Sequence, residues 1–161
     1  MRLRSTLLIV ICIATFFFVA SDVGRGMGLF MDQKCKKWIE TFFKMPPSEQ
    51  IKIFSSYTIE DQYSIYICGN QIFHPPAIYI ARPFATQGNL AADFLKTRLL
   101  QTKDDLTIRD IVFVFEEMNR QKTYNVRKDG DLMKLIKDRI DGMNNKDWKR
   151  TTEEMLQEMK E

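Results

Sequence analysis

The chain is predicted to adopt an all-α fold, either stacked antiparallel helix pairs or a compact helical bundle, and three features of the sequence carry that expectation. Apolar residues recur at three-and-four spacing through most of residues 29–161, the period of a helix with one buried face. Proline, glycine and capping residues punctuate the stripes at intervals suited to short helices. The two stretches of strand-like composition, 63–67 and 111–115, both fall inside helical periods, which argues against a sheet.

The first 21 residues stand apart. Arg2 and Arg4 precede an uncharged run, Ser5 to Ser21, dominated by Leu, Ile, Val and Phe, and this is the layout of a secretory signal. Residues 1–21 are therefore read as a signal peptide or a membrane anchor. As an anchor the run is short, since about 17 helical residues rise roughly 26 Å against a hydrocarbon core of about 30 Å. Membrane contact is expected only through residues 5–21, if they are not cleaved. The two arginines belong on the cytoplasmic side, which sends the rest to a periplasmic or extracellular space. Residues 22–28 read as a flexible connector. Gly24, Gly26 and Gly28 lack the preceding strand that a phosphate-binding loop requires.

The all-helical domain is expected over 29–161. A first helix from Leu29 to Met45 carries Met31, Cys35, Trp38, Ile39 and Phe42 on one face and stops at Pro46 and Pro47. Ser48 is expected to cap a short helix bearing Ile51 and Phe54. Thr58 with Asp61 resembles a capping box and opens a helix that is expected to leave through Gly69 in a left-handed conformation. A turn at Phe73, His74, Pro75 and Pro76 leads to a short helix near Ala77 to Phe84. Gly88 and Asn89 break and recap the chain before a helix with Ala91, Phe94, Leu95 and Leu99 inward. Thr107 is expected to start the clearest stripe, Ile108, Ile111, Val112, Phe115 and Met118. Beyond a polar loop at 125–129, Leu132, Met133, Ile136, Ile140 and Met143 mark another helix, and Trp148, Met155 and Met159 a terminal one.

Charge excludes one class of partner. Without Arg2 and Arg4 the 24 basic residues fall to 22 against 21 acidic, a net charge of +1. Nucleic-acid binding needs a concentrated basic surface, so no nucleic-acid partner is expected, and Lys34, Lys36 and Lys37 read as a wet helix face. Cys12 lies in the hydrophobic run, leaving Cys35 and Cys68 as the pair in the exported part. In an oxidising compartment they are expected to form a disulfide, the alternative being two buried thiols.

No catalytic or metal pattern stands out. His74 is the single histidine, and its pairing with a Cys35 or Cys68 nucleophile is incompatible with a disulfide. Neither Cys-x-x-Cys nor His-Glu-x-x-His occurs, so no metal and no cofactor is expected. Glu116 with Glu117, or Glu153 with Glu154, are adjacent on a helix and point about 100° apart, which does not suit paired-carboxylate chemistry.

Residues 94–118 read Phe94, Leu95, Leu99, Leu100, then Asp104 and Asp105, then Ile108, Arg109, Asp110, Ile111 and Phe115. This segment resembles a HEAT-type repeat: an apolar first helix, an acidic turn, and a second helix opening with an aliphatic residue and an arginine. Val112 and Val114 stand where the family carries small residues. Thr58, Ile59, Glu60, Asp61 and Thr107, Ile108, Arg109, Asp110 echo one another at an offset of 49, slightly longer than such repeats. The resemblance implies a HEAT-like α-solenoid of helix pairs with a concave binding side made by the second helices.

The functional expectation is a non-catalytic protein-binding module of the cell envelope, an adaptor or scaffold whose partner is another protein. Tyr63, Tyr66, His74, Arg109, Glu116 and Arg120 are the expected contact surface, because tyrosine and arginine favour interfaces. The alternatives are an immunity-type inhibitor of a toxin enzyme and a small hydrolase using His74.

Overall fold

The computed structural model describes residues 35–160. The signal or anchor, the connector and the expected start of the first helix lie outside these residues. Among the described residues there are eight α-helices, three short 3-10 turns and no strand, as the periodicity predicts. Among them no helix is long and apolar enough to cross a membrane.

Helix α1 (35–40) buries Cys35 and Trp38 and is followed by a 3-10 turn, Phe42–Lys44, whose Phe42 is wholly enclosed. Met45, held extended (ψ 152°) by the proline after it, ends the turn. Helix α2 (Pro47–Phe54) starts on Pro47, whose fixed φ and missing N–H suit a first helical position. Ser48 is therefore inside the first turn and does not cap it. The buried Gln50 amide donates instead to the Met45 carbonyl at 2.6 Å, satisfying the chain break.

Helix α3 (Ile59–Ile72) is capped as expected, Thr58 Oγ1 accepting from the Asp61 N–H at 3.2 Å. Its end is not where the sequence places it. Gly69 is helical, and a Cβ there would stand 2.8 Å from Phe43 Cζ and 2.9 Å from Ala77 Cβ. The glycine permits a close crossing rather than a left-handed exit. The chain leaves through extended Phe73 (ψ 146°) and a cis His74–Pro75 bond, and the Ala77 N–H returns to the Gly69 carbonyl at 3.0 Å.

A 3-10 turn, Ile78–Ile80, runs into α4 (Ala81–Ala85). Gly88 follows with φ +57° and ψ −126°, a conformation open to glycine alone, and serves as N-cap of α5 (Asn89–Gln101). Helix α6 (Asp105–Gln121) begins two residues earlier than expected. Asp104 is its cap, with one carboxylate oxygen accepting from the Thr107 N–H at 2.8 Å and the Thr107 hydroxyl at 2.6 Å. Thr58 is thus a cap whereas Thr107 is a third helical residue, and the two echoed tetrapeptides sit in different registers. After a 3-10 turn, Val126–Lys128, Asp129 caps α7 (Gly130–Asp141) and Asn145 caps α8 (Lys146–Glu158).

The core gathers on α6, which touches α3, α4, α5, α7 and α8. Ile111, Val112, Val114, Phe115 and Met118 are all fully enclosed, a sector broad enough to serve several neighbours at once. Helices distant in sequence therefore meet on one central helix, in the compact packing of a bundle. A second group of edge-on aromatic pairs fills the N-terminal side, with Phe42 on Phe54, Phe54 on Phe84 and Trp38 on Tyr57. The disulfide Cys35–Cys68, with Cα atoms 5.5 Å apart, ties α1 to α3.

Candidate functional site

A groove of about 350 Å³ opens beside the disulfide, between α3 and the ends of α5 and α6. Glu60, Tyr63 and Ser64 of α3 form one wall, Arg98 and Thr102 the other, and the disulfide and Thr107 complete the lining. Glu60, Tyr63, Ser64, Ile67 and Cys68 fall within two and a half turns of α3, which is why one helix supplies most of the wall.

Arg98 is held by aromatic rings. Phe94, one turn earlier on α5, lies with its ring centre 4.7 Å from the guanidinium carbon, and the Tyr63 ring centre is 5.6 Å away. The two rings themselves meet edge to face at 5.6 Å. Such stacking fixes the guanidinium plane without consuming its N–H donors. Among the described residues Arg98 Nε is buried with no acceptor, and Nη1 has only a long 3.5 Å contact with Gln101 Oε1. Burial pushes the Tyr63 hydroxyl up to about 12, with Asp110 and Asp104 adding to the rise and Arg98 opposing it. Tyr63 therefore stays a neutral donor.

A polar network continues below. Gln71 Nε2 donates to Thr107 Oγ1 at 3.1 Å and reaches Asp110 Oδ2 at 3.4 Å. Arg109 Nε donates to Asp110 Oδ1 at 3.0 Å while its guanidinium lies 4.2 Å from the Trp148 ring centre. Burial raises the Asp110 carboxyl, and Arg109 and Gln71 pull it back down. The network joins α3, α6 and α8.

The expected contact residues divide. Tyr63 lines the groove. Tyr66 does not reach the surface: its ring is wholly enclosed and its hydroxyl donates to the Asp110 carbonyl at 2.8 Å, because the face of α3 that carries it points into α6. His74 is exposed on the bend after α3. Arg109 and Glu116, each only 13% exposed along the side chain, lie under α8, the first beneath Trp148 and the second against Glu158. Arg120 is 60% exposed and pairs with Glu116 and Glu117. The outer stripe of α6 expected to be an open contact face is therefore covered at Arg109 and Glu116 by the terminal helix, and it is separate from the groove at Tyr63.

Arg98, Phe94, Ser64 and Glu60 are site residues that sequence reasoning missed. The four-residue step from Phe94 to Arg98 is the one signal that pointed to them, since it places a cation over a ring on the same helix face. Thiol chemistry at Cys35 and Cys68, the cysteines among the described residues, is closed off, because their sulfurs are bonded to each other and neither is a thiolate. Among the described residues no three His, Cys, Asp or Glu side chains converge to hold a metal. Lys96, Tyr124 and Asp129 form a second polar cluster, with Lys96 Nζ 2.7 Å from Tyr124 Oη and 2.5 Å from Asp129 Oδ2. Burial opposes the Lys96 charge, yet its partners raise it above the ordinary value, so this lysine stays an ammonium and clips α5 to the start of α7. No family model matches the chain, and no curated protein or solved structure shows significant similarity to it.

Proposed function

We propose that the chain is an exported, disulfide-braced protein-binding module of the cell envelope, without catalytic activity. The observation that carries this reading is the groove at Tyr63, where two aromatic rings present an arginine that has no carboxylate partner among the described residues. Tyrosine and arginine in a preformed recess are what interface hot spots favour. The address rests on two supports: the basic-then-apolar start of the sequence and the Cys35–Cys68 bond, which suits an oxidising compartment.

Within this reading the HEAT-type resemblance describes one hairpin, α5 and α6 joined through 102–104, set in a bundle. An immunity-type inhibitor is the same surface chemistry with an enzyme as its partner. The hydrolase reading at His74 has lost its thiol nucleophile and keeps only an exposed histidine on a bend.

Placing a benzoylphenylalanine photo-cross-linker at position 63, and in a separate protein at exposed position 134 of α7, tests the proposal in cells that make the chain. One dominant adduct from position 63, absent from position 134, is the expected result. No adduct at 63, or the same adducts from both positions, would remove the groove as a contact site.

A further inference from the structure

We infer that the groove receives the carboxylate of an aspartate or glutamate side chain from a partner protein, with Arg98 as its receptor. This rests on the protein-binding reading and adds the chemistry of what is bound. Arg98 is the arginine that lines the groove, and unlike Lys96 and Arg109 it has no carboxylate beside it. Lys96 is matched by Asp129 and Arg109 by Asp110, whereas Arg139, which lies outside the groove, shares the lack of a carboxylate and gives one Nη to the Leu100 carbonyl. Among the described residues no carboxylate lies within ion-pair distance of Arg98. Its Nε is nonetheless withdrawn from solvent without an acceptor, and a buried donor left unpaired is costly. With Nε enclosed, the terminal nitrogens, whose one contact among the described residues is the long one to Gln101, are left to meet an incoming carboxylate at two points.

The surroundings fit a single acidic side chain. Tyr63 remains protonated and makes no hydrogen bond of its own among the described residues, so its hydroxyl is free to donate, and Ser64 and Thr102 add hydroxyls to the lining. The volume of about 350 Å³ is at the small end for ligand recesses, enough for one side chain and part of its backbone. Glu60 lines the same groove and carries the opposite sign, while Asp104 and Asp110 act on Tyr63 from beneath. Glu60 therefore repels an anion at its own end and orients the partner with the carboxylate toward Arg98.

Side-chain NMR of the full oxidised chain reads this directly. The probe is the blocked peptide acetyl-Ala-Tyr-Glu-Tyr-Ala-amide, with its Gln counterpart and free glutarate as comparisons. The Glu peptide is expected to shift the Arg98 Nε–Hε resonance saturably and to bind about tenfold more tightly than the Gln peptide, the effect of one charge-assisted pair. Arg98→Gln should abolish that preference, Arg98→Lys should weaken it, and Glu60→Gln should tighten binding. Unchanged backbone amide shifts in α7 and α8 report that each variant is folded. Equal binding of Glu and Gln peptides, or an Arg98→Gln protein that keeps the preference, would overturn the inference, and glutarate binding as tightly as the peptide would overturn the protein side chain as the ligand. A position-63 photo-adduct that persists in Arg98→Gln would sink the carboxylate chemistry alone, whereas loss of all adducts in the wild-type chain would sink the protein-binding reading beneath it.

Discussion

The hydroxyl of Tyr66 donates to the backbone carbonyl of Asp110 at 2.8 Å, joining α3 to α6 in the interior. The same ring packs edge-on against Phe84 at 5.9 Å. Tyr66→Phe keeps the packing and removes the hydrogen bond. It is expected to lower stability by about 1 kcal/mol, read as a lower urea midpoint at unchanged slope. An unchanged midpoint would show that the bond contributes nothing net.

Gly69 and Gly130 make a matched pair of tests. A methyl at 69 meets Phe43 and Ala77 below 3 Å, whereas nothing lies within 4 Å of a Cβ at 130. Gly69→Ala is expected to cost about 1–3 kcal/mol through overpacking, and Gly130→Ala to be neutral or stabilising by about 0.5–1 kcal/mol. Thermal unfolding of the two proteins side by side measures the difference.

The disulfide closes a loop whose cysteines are 33 residues apart. The chain-entropy relation puts its contribution at about 4 kcal/mol. Reduction, or Cys35→Ser with Cys68→Ser, is expected to lower the unfolding free energy toward that amount and to loosen the groove wall on α3. Native alkylation followed by peptide mapping should label neither Cys35 nor Cys68 until a reductant is added.

Two carboxyls should shape the pH response in opposite directions. Asp129 is held down at about 2, from 3.8, by hydrogen bonds from Lys96, Tyr124 and the Leu132 N–H that outweigh its burial. Its contribution is present above the unfolded value near 4 and is lost as pH falls through about 2. Asp129→Asn should therefore weaken the protein at neutral pH and flatten its loss of stability in acid. Glu116 is raised instead, by burial and then by Glu158, with Arg120 opposing. For a raised acid, stability is gained as pH falls through the folded value. Glu116→Gln should slow hydrogen exchange in α8 at pH 7 and make no difference near pH 4.

Local structure was legible wherever a residue acts on its own neighbourhood. Thr58 capping α3 and the stripe of α6 from Ile108 to Met118 follow from spacing alone. Gly69 was misread because a helical glycine and a terminating one look identical until Phe43 and Ala77, distant in sequence, are seen against it. Ser48 and Thr107 were misplaced because Pro47 and Asp104 supplied competing starts. At the candidate site Tyr63 was legible from its type and polar neighbours. Arg98 was not, since its significance lies in lacking a carboxylate among the described residues, which only the packed structure reveals. The covering of Arg109 by Trp148 spans 39 positions of sequence, and periodicity states which side of a helix is apolar without saying which helix will lie on it.

Amide hydrogen exchange on the wild-type, oxidised chain, alone and with the protein captured from position 63, tests the binding groove most directly. Slowed exchange concentrated at 60–68 and 94–102, with α7 unchanged, is the expected result. Protection confined to α7 or to the bend at His74, with 60–68 unaffected, would contradict a binding site at Tyr63 and Arg98.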